Sequence, residues 1–287
     1  MMHELNCVPQ ETITSVSYNK DILISLWSGE LMLYSGVTFG CKGSVEAEIP
    51  VTRAILTSDV VAGDIEGSVR IYDMSLNEKA KISSGVGGIQ LLHEYKGSVV
   101  AGGWNKKIVF VNGCVENVIN TEKKVYCSDI LNDVLLVGQQ EYVVAYDLRT
   151  NSFFFRRQFN TVVRSLALGP GGFFAGTTDG RIYYEDFEDK SRSYVFNAHY
   201  SISGDSKIFY PVNSIVVGKY LLSGGSDGRV LRWKLEAKKT YKEIACDKVG
   251  VSGLCTAEEK VAIGFSYSHD RGEKEEMSCS RVVLVDL

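Results

Sequence analysis

A short phrase of residues recurs seven times along this chain. Each copy has a small apolar strand, a tight polar turn that usually holds Gly or Asp, and a second apolar strand ending in an aromatic residue or Val with a polar neighbour. Clear examples lie at residues 60–73, 135–147 and 221–233. Self-similarity at a fixed period is the signature of a repeat protein, so this pattern constrains the fold more than any other feature.

The spacing of the turns indicates the architecture. The turns at Gly29, Gly67, Lys106, Glu141, Gly180 and Gly228 are 38, 39, 35, 39 and 48 residues apart. A period of about 40 residues is typical of a four-stranded propeller blade. One blade cannot bury both faces of its sheet, so blades stack around an axis. The 287 residues therefore predict an all-β, seven-bladed WD-repeat propeller.

We expect one domain over residues 1–287, because all-β propellers of this size fold as a unit and 45% hydrophobic residues suffice for a continuous core. A ring of blades also has to be closed. The last strand, Arg281 to Asp286, resembles the third strand of a blade. The N-terminal segment Glu4 to Val8 is therefore predicted to supply the outer strand of the last blade, which hides an exposed edge.

Two segments break the period. One is a polar excursion between Asp186 and Phe209, and the other is a charged stretch between Tyr267 and Ser280. Insertions in repeats map to loops, and loops often carry binding residues. The charged stretch has no aromatic anchor beyond its edge, which favours a solvated loop.

Charge and cysteine content limit the function classes. The net charge is −4, so there is no general basic field for nucleic acid. Seven scattered cysteines without a C-x-x-C pair favour a reducing intracellular compartment. We find no signal-peptide pattern and no apolar run of membrane length, and we expect neither a nucleic-acid nor a membrane partner.

The sequence shows few residues suited to metal binding or catalysis. The four histidines do not cluster with Cys or carboxylates at metal-ligand spacings, and we expect no metal, no cofactor and no catalytic residue. Asp64, Asp179 and Asp227 lie near turns, which favours turn-shaping hydrogen bonds over acid catalysis. Trp233 occupies the blade-core aromatic position and is predicted to be structural. The chain is thus expected to be a non-enzyme.

Candidate binding residues lie in the hairpin turns. Trp27 and Trp104 occupy equivalent turns, and an exposed Trp adds a large contact area at low entropic cost. Each of them could equally cap a neighbouring blade, and the sequence leaves both readings open. Arg181 and Arg229 begin third strands and could meet acidic side chains of a ligand or a carboxylate of their own blade.

The second half of the chain carries a more specific pattern. Its elements are Lys124-Val125-Tyr126-Cys127-Ser128-Asp129, Tyr194-Val195-Phe196-Asn197-Ala198-His199, Tyr210-Pro211-Val212-Asn213 and Gly224-Gly225-Ser226-Asp227-Gly228. This succession resembles the Bub-three/Rae-one family of WD-repeat propellers. Pro211, the Gly-Gly-Ser-Asp-Gly turn and the lack of a long N-terminal extension favour the spindle-checkpoint branch. The alternative is the branch of mRNA-export adaptors, which bind a GLEBS motif of a nucleoporin.

The resemblance implies a non-catalytic adaptor of the spindle assembly checkpoint, nuclear and at kinetochores in mitosis. Its expected partners are a GLEBS motif in a Bub checkpoint kinase or Mad-type protein and a phosphorylated MELT-type kinetochore scaffold, with this chain a monomer inside a hetero-complex. It gives no expectation about ubiquitin binding. The GLEBS contacts carry over to Trp27, Trp104 and Arg181, with Arg229 as a further candidate.

Phosphopeptide binding is where the chain departs from the family pattern. The family places Arg after the His of the aromatic-x-Phe-x-x-His element, whereas this chain has Tyr200. Lys219 matches a second basic contact of some members. A phenol cannot replace a guanidinium fork, so the sequence predicts weakened phosphate recognition that depends on Lys219.

Overall fold

The computed structural model describes residues 2–235, 240–267 and 280–287. These residues form seven four-stranded antiparallel sheets and one additional two-stranded sheet. The fold is all-β, and the chain is a seven-bladed propeller, as the repeat predicts. Within the described residues, no helix is long and apolar enough to cross a membrane. The charged stretch at 268–279 lies outside the described residues.

By their internal contacts, the described residues divide into two compact units. The single domain expected from the sequence therefore stays a prediction. The first unit covers residues 2–126, 255–266 and 280–287. Its first three sheets are blades 1 to 3. Blade 1 has the strands β2 (Ile13–Asn19), β3 (Asp21–Leu26), β4 (Glu30–Ser35) and β5 (Cys41–Glu46). Blade 2 has β6 (Val51–Leu56), β7 (Val60–Asp64), β8 (Ser68–Tyr72) and β9 (Glu78–Ser83), and blade 3 has β10 (Ile89–Tyr95), β11 (Ser98–Gly103), β12 (Lys107–Asn112) and β13 (Cys114–Asn120).

The second unit covers residues 127–235, 240–254 and 267. Blade 4 has the strands β14 (Cys127–Leu131), β15 (Val134–Gln139), β16 (Tyr142–Asp147) and β17 (Ser152–Gln158), and blade 5 has β18 (Val163–Gly169), β19 (Gly172–Thr177), β20 (Arg181–Asp186) and β21 (Tyr194–Asn197). A two-stranded sheet of β22 (Tyr200–Ser203) and β23 (Ser206–Phe209) follows. Blade 6 has β24 (Val212–Val217), β25 (Leu221–Gly225), β26 (Arg229–Trp233) and β27 (Thr240–Cys246). A short 3₁₀ helix, Lys190–Arg192, lies between β20 and β21.

Blade 7 contains the chain ends. Its strands are β28 (Val251–Ala257), β29 (Lys260–Phe265) and β30 (Arg281–Asp286), and β1 (Met2–Glu4) pairs with the far edge of β30. Met2 lies opposite Val285 and Glu4 lies opposite Val283. An N-terminal strand thus closes the last blade as predicted. That strand is Met2–Glu4, however, and not Glu4 to Val8. Leu5 N–H still donates to Val282 O (2.9 Å), but Leu5 itself and the residues that follow it are no longer part of the strand.

Burial differs sharply between the strands of one blade. The second strands are buried on both faces, as in β19, where every residue is buried. The outer strands alternate exposed and partly buried residues, as in β9. The third strands are also largely buried, as in β4 and β12, so the core lies at the inner, second and third strands and the outer strands face water on one side.

In blades 1 to 6, the turn between the second and third strands holds one residue with positive φ. In blade 5 this is Gly180 (φ +75°), where a Cβ would come within 2.4 Å of His199 O. In blade 3 the position is held by Lys106 (φ 59°). In blade 4 it is held by Gln140 (φ 65°), so the sequence assignment of Glu141 as the turn position is one residue too late.

Candidate functional site

Trp27 lies in the turn that follows β3, and its side chain is 45% exposed. Its backbone is fixed, since Trp27 N–H donates to Thr12 O (2.9 Å) and Gly29 N–H donates to Leu26 O (3.0 Å). An exposed indole on a hydrogen-bonded turn loses little freedom when a ligand covers it. Trp27 therefore has the properties of a binding anchor.

Trp104 occupies the equivalent turn of blade 3 but is partly buried. Its indole covers Gly88, where a Cβ would lie only 2.6 Å from Trp104 Cε3. Gly88 belongs to the connection between blades 2 and 3, so this indole packs against the preceding connection of its own unit. Trp104 thus combines a structural contact with a remaining accessible face.

Arg181 is the first residue of β20, and its side chain is 45% exposed. Its Nε lies 3.5 Å from Asp179 Oδ2, so it forms an ion pair within its own turn. A hydrogen bond with Tyr183 and the charge of Asp179 raise the pKa of the Arg181 guanidinium. Half-exposed ion pairs of this kind contribute little to stability, which leaves the guanidinium available to a stronger carboxylate partner.

Arg229 holds the corresponding position in blade 6 but is more enclosed. Its Nε lies 3.0 Å from Glu243 Oε2 and 3.8 Å from Asp227 Oδ2. These two carboxylates belong to the turn before Arg229 and to the neighbouring outer strand β27. Arg229 therefore bridges its own blade, whereas Arg181 has a single ion-pair partner in its turn.

Tyr200 opens the two-stranded sheet between blades 5 and 6, opposite Phe209. The Lys207 ammonium lies 5.1 Å from the centroid of the Tyr200 ring, a cation–π distance. Sequence reasoning missed Lys207, because the hairpin that brings it across from Tyr200 was read as a polar excursion. The cation at Tyr200 is thus Lys207.

Lys219 lies at the other end of blade 6. Val212 at the start of β24 pairs with Gly225, and Val217 at its end pairs with Leu221. Lys219 follows Val217, whereas Tyr200 belongs to the hairpin that enters β24 at Val212. The structure therefore does not bring Tyr200 and Lys219 together.

A different cation lies near Lys219. Lys219 Nζ is 5.7 Å from the centroid of the Tyr220 ring, and Arg232 Cζ is 4.5 Å from the same centroid. Two cations on one aromatic ring form a local basic group on a protein whose net charge is −4. Arg232, on β26, was not expected from the sequence.

A buried polar network joins blade 6 to the segment that precedes it. His199 Nδ1 lies 2.8 Å from Asp227 Oδ1, and His199 Nε2 lies 2.9 Å from Ser223 Oγ. Trp233 Nε1 donates to the same Ser223 Oγ (2.9 Å). Trp233 is 3% exposed, which confirms its predicted structural position.

The network resembles a Ser-His-Asp arrangement in composition only. His199 and Ser223 are fully buried, so no substrate carbonyl can reach the serine oxygen. Burial alone would raise the pKa of the Asp227 carboxyl, but the hydrogen bond from His199 and its neighbouring positive charges outweigh this, and the pKa lies below its ordinary value. Asp227 also accepts from Arg229 N–H (3.2 Å), which confirms its turn-shaping role.

The described residues contain no group of three or more His, Cys, Asp or Glu side chains that could hold a metal ion. The first unit offers an exposed indole at Trp27, and the second unit offers the half-exposed Arg181 guanidinium and the cations on Tyr220. Such groups bind peptides and anions by contact and charge.

Known proteins similar to this chain agree on its fold. No protein-family model matches the chain. The spindle assembly checkpoint protein bub3 of Schizosaccharomyces pombe (strain 972 / ATCC 24843) is 22% identical over 263 residues, which cover 84% of this chain and 82% of that protein.

Solved structures support the architecture. The structure of U3-55K superimposes with a TM-score of 0.87 at 12% identity, covering 100% of this chain and 98% of that one. The crystal structure of the RRP9 WD40 repeats gives a TM-score of 0.84 at 11% identity, covering 100% and 97%. The fold is a WD-repeat propeller. At these identities the solved structures establish the fold alone.

Proposed function

We propose that this protein is a non-catalytic adaptor of the spindle assembly checkpoint, which carries a checkpoint protein to phosphorylated kinetochores. The observation that carries the proposal is the similarity to fission-yeast bub3 along 84% of the chain. The resemblance in residues 122–228 points the same way, and the buried Ser223–His199–Asp227 chain offers no accessible nucleophile.

The first partner is a GLEBS-type peptide of a Bub kinase or Mad-type protein. Trp27 is the anchor in the first unit, because it is the more exposed of the two turn indoles. Arg181 is the acid-recognising residue in the second unit. Trp104 and Arg229 are secondary contacts, since each is already engaged by its own unit.

The first experiment measures the affinity of a synthetic GLEBS peptide by calorimetry. Removing a central Trp anchor costs about 2 kcal/mol or more, so Trp27→Ala should weaken binding at least about 30-fold. Phe153→Ala is the matched control, because it removes an exposed aromatic from the outer strand β17. Unchanged affinity in both Trp27→Ala and Arg181→Glu, with the folded state verified, would remove these residues from the proposed site.

The second partner is a phosphorylated MELT-type peptide. Its phosphate is assigned to Lys219 and Arg232 beside Tyr220, because these two cations share one ring. Lys219→Ala should abolish the preference for phosphorylated over unphosphorylated peptide, and Tyr200→Arg should leave it unchanged. A large gain from Tyr200→Arg would place the phosphate at the two-stranded sheet instead.

Cell imaging separates the two branches of the family. A checkpoint adaptor tagged with a fluorescent protein should form foci on unattached kinetochores in mitosis. A steady nuclear rim without such foci would support an mRNA-export adaptor and contradict the proposal.

A further inference from the structure

Two exposed cysteines belong to segments that meet in the first unit. Within the described residues, the exposed cysteines are Cys7, Cys41, Cys114 and Cys246. Cys7 follows the closing strand β1, and Cys41 is the first residue of β5 in blade 1. Cys7 and Cys41 are distant in the sequence, so their relation depends on how the N-terminal segment packs against blade 1.

The N-terminal segment packs against blade 1 at three points. The His3 ring stacks on the Phe39 ring, with 4.7 Å between the centroids. Leu5 is buried in the hydrophobic cluster that contains Tyr34. Tyr34 Oη lies 3.4 Å from Cys7 O. The backbone of Cys7 is therefore held beside the phenol of a fully buried tyrosine.

Cys41 approaches the same tyrosine from the neighbouring strand. Tyr34 on β4 lies opposite Cys41 on β5. Opposite residues in an antiparallel pair project to the same side, with Cβ atoms about 5 Å apart. Tyr34 Oη lies 3.5 Å from Met32 Sδ, and Cys41 Sγ lies 3.6 Å from Gly43 O. Both side chains thus lean toward the same end of the two strands.

The electrostatics of Tyr34 agree with this geometry. The pKa of its hydroxyl is raised above the ordinary value, first by burial and then by the charges of Cys41, Cys7 and Glu30. The interaction between two charges weakens with their separation. Both sulfur atoms therefore lie close enough to the Tyr34 oxygen to act on it.

Cys7 is the partner that can adjust its position. It lies in a turn outside any strand, with a left-handed backbone (φ 59°), whereas Cys41 is held in the β4–β5 ladder. A disulfide needs Cα atoms within about 7 Å of each other. The turn at Cys7 can meet this requirement without breaking a hydrogen bond of either sheet.

We propose that Cys7 and Cys41 are a redox modification site, in which a disulfide between them fastens the closing strand β1 to blade 1. The oxidant is glutathione disulfide. One cysteine thiolate attacks it, which breaks its S–S bond and releases one glutathione thiolate. The second cysteine thiolate attacks the mixed disulfide and releases the other. Two cysteine thiols are oxidised, one glutathione disulfide is reduced, and the two cysteine protons pass to the released thiolates.

The closing strand is the element that such a bridge would affect. β1 forms three residue pairs with β30, and Leu5 N–H adds one bond to Val282 O (2.9 Å). Short terminal elements open at a low free energy unless they are tied down. In the reducing compartment that the cysteine content favours, the pair stays as thiols. An oxidised glutathione pool would then reduce the opening of β1.

The test incubates the full chain in glutathione buffers of increasing oxidised fraction, followed by alkylation and tryptic digestion without reduction. Cleavage after Lys20 and Lys42 places Cys7 in residues 1–20 and Cys41 in residues 21–42. We expect these peptides to be joined with the loss of two hydrogens and to separate on adding dithiothreitol. Oxidation should slow hydrogen exchange of amides 3–5 at least tenfold and raise the melting temperature by about 5 °C.

Cysteine variants make the test specific. Cys7→Ser and Cys41→Ser should each abolish the joined peptide and both shifts. Cys114→Ser, which removes an exposed cysteine of β13, should behave like wild type. The proposal is overturned if oxidation leaves only glutathione adducts on Cys7 and Cys41, or if the joined peptides come from a covalent dimer seen on a non-reducing gel. It is also overturned if the bridge forms while exchange of amides 3–5 is unchanged.

Discussion

Blades 1 and 6 each bury a serine in the second strand and use it differently. The two serines lie one position apart, since Ser25 pairs with Ser15 of the inner strand and Ser223 pairs with Ile215. Ser25 and Ser223 are both fully buried. In blade 1, Ser25 Oγ lies 2.7 Å from Thr14 Oγ1 and 2.6 Å from Ser15 Oγ, so three hydroxyls satisfy one another. In blade 6, the serine accepts from an indole and contacts a histidine that is itself tied to a carboxylate. The second strand of a blade thus buries either a neutral hydroxyl cluster or a charged network.

The two buried networks differ in how much the stability of each blade depends on a single side chain. In blade 1, losing the Ser25 hydroxyl still leaves Ser15 Oγ with a hydrogen bond from Ala54 N–H (2.8 Å). Blade 6 has a carboxylate whose burial is compensated by one imidazole and its neighbours. Blade 6 also carries Lys219 and Arg232 at Tyr220, so its network supports the surface proposed to bind phosphate.

Removing the imidazole gives the largest expected effect. His199→Ala removes the imidazole from the buried Asp227 carboxylate and from Ser223, which keep only Arg229 N–H and Trp233 Nε1 among the hydrogen bonds described above, and it should lower the free energy of unfolding by about 3 kcal/mol. Ser25→Ala in blade 1 should cost about 1 kcal/mol, because Ser15 Oγ still accepts from Ala54 N–H and Thr14 is only partly buried. Urea unfolding of both variants measures the difference. Equal losses would show that the two networks are energetically equivalent.

The inner strands give a second comparison. In blade 1, Ser17 Oγ accepts from the backbone N–H of Leu56 in the next blade (3.0 Å). In blade 4 the corresponding residue is Asp129, which pairs with Leu136 of the second strand as Ser17 pairs with Leu23. The same position therefore holds a neutral acceptor in one blade and an ionisable one in another.

The ionisable version should make stability depend on pH. Asp129 Oδ2 accepts from Leu168 N–H (2.7 Å), and burial raises the pKa of its carboxyl from 3.8 to about 6. Because the folded pKa exceeds the unfolded one, protonated Asp129 contributes stability that is full below about pH 4 and is lost as pH rises through 6. Wild type should lose about 3 kcal/mol as pH rises from below 4 to above 6, a loss that Asp129→Asn does not show. Parallel pH profiles of the two proteins, measured by urea unfolding, would contradict this.

The smallest expected change in the free energy of unfolding comes from substitutions in the turns between second and third strands. Blades 1 and 6 place glycine at the positive-φ position, whereas blade 3 places Lys106 there (φ 59°). Lys106→Gly should raise the free energy of unfolding by about 0.5 to 1 kcal/mol, since a side chain is disfavoured in this conformation. Gly228→Ala is the reverse control, because its Cβ would lie 2.1 Å from Asp247 O and should be clearly destabilising. Thermal melting measures both, and a destabilised Lys106→Gly would mean that the lysine side chain contributes a compensating contact.

Sequence reasoning predicted the blade period, the seven sheets and the closing N-terminal strand, because these depend on local alternation and turn residues. It predicted Trp233 as structural and Asp227 as a turn residue for the same reason. It did not find the bond between His199 and Asp227, which lie 28 positions apart, since such pairing depends on how one connection folds over the next blade.

The binding residues were the less predictable part. Trp27 and Trp104 occupy equivalent turns, yet only the structure shows that one covers Gly88 and the other is more exposed. Tyr200 and Lys219 were paired from motif matches, but β24 separates them. Lys207 and Arg232 carry no sequence motif and are recognisable only through the rings they contact.

The central claim is that the turns carrying Trp27, Trp104 and Arg181 bind the checkpoint partner. Hydrogen exchange of the full chain, with and without a saturating GLEBS peptide, tests it most directly. The account predicts slower exchange in residues 25–29, 102–106 and 179–182, with residues 218–220 unchanged. Slower exchange confined to other segments, with these three turns unaffected, would contradict it.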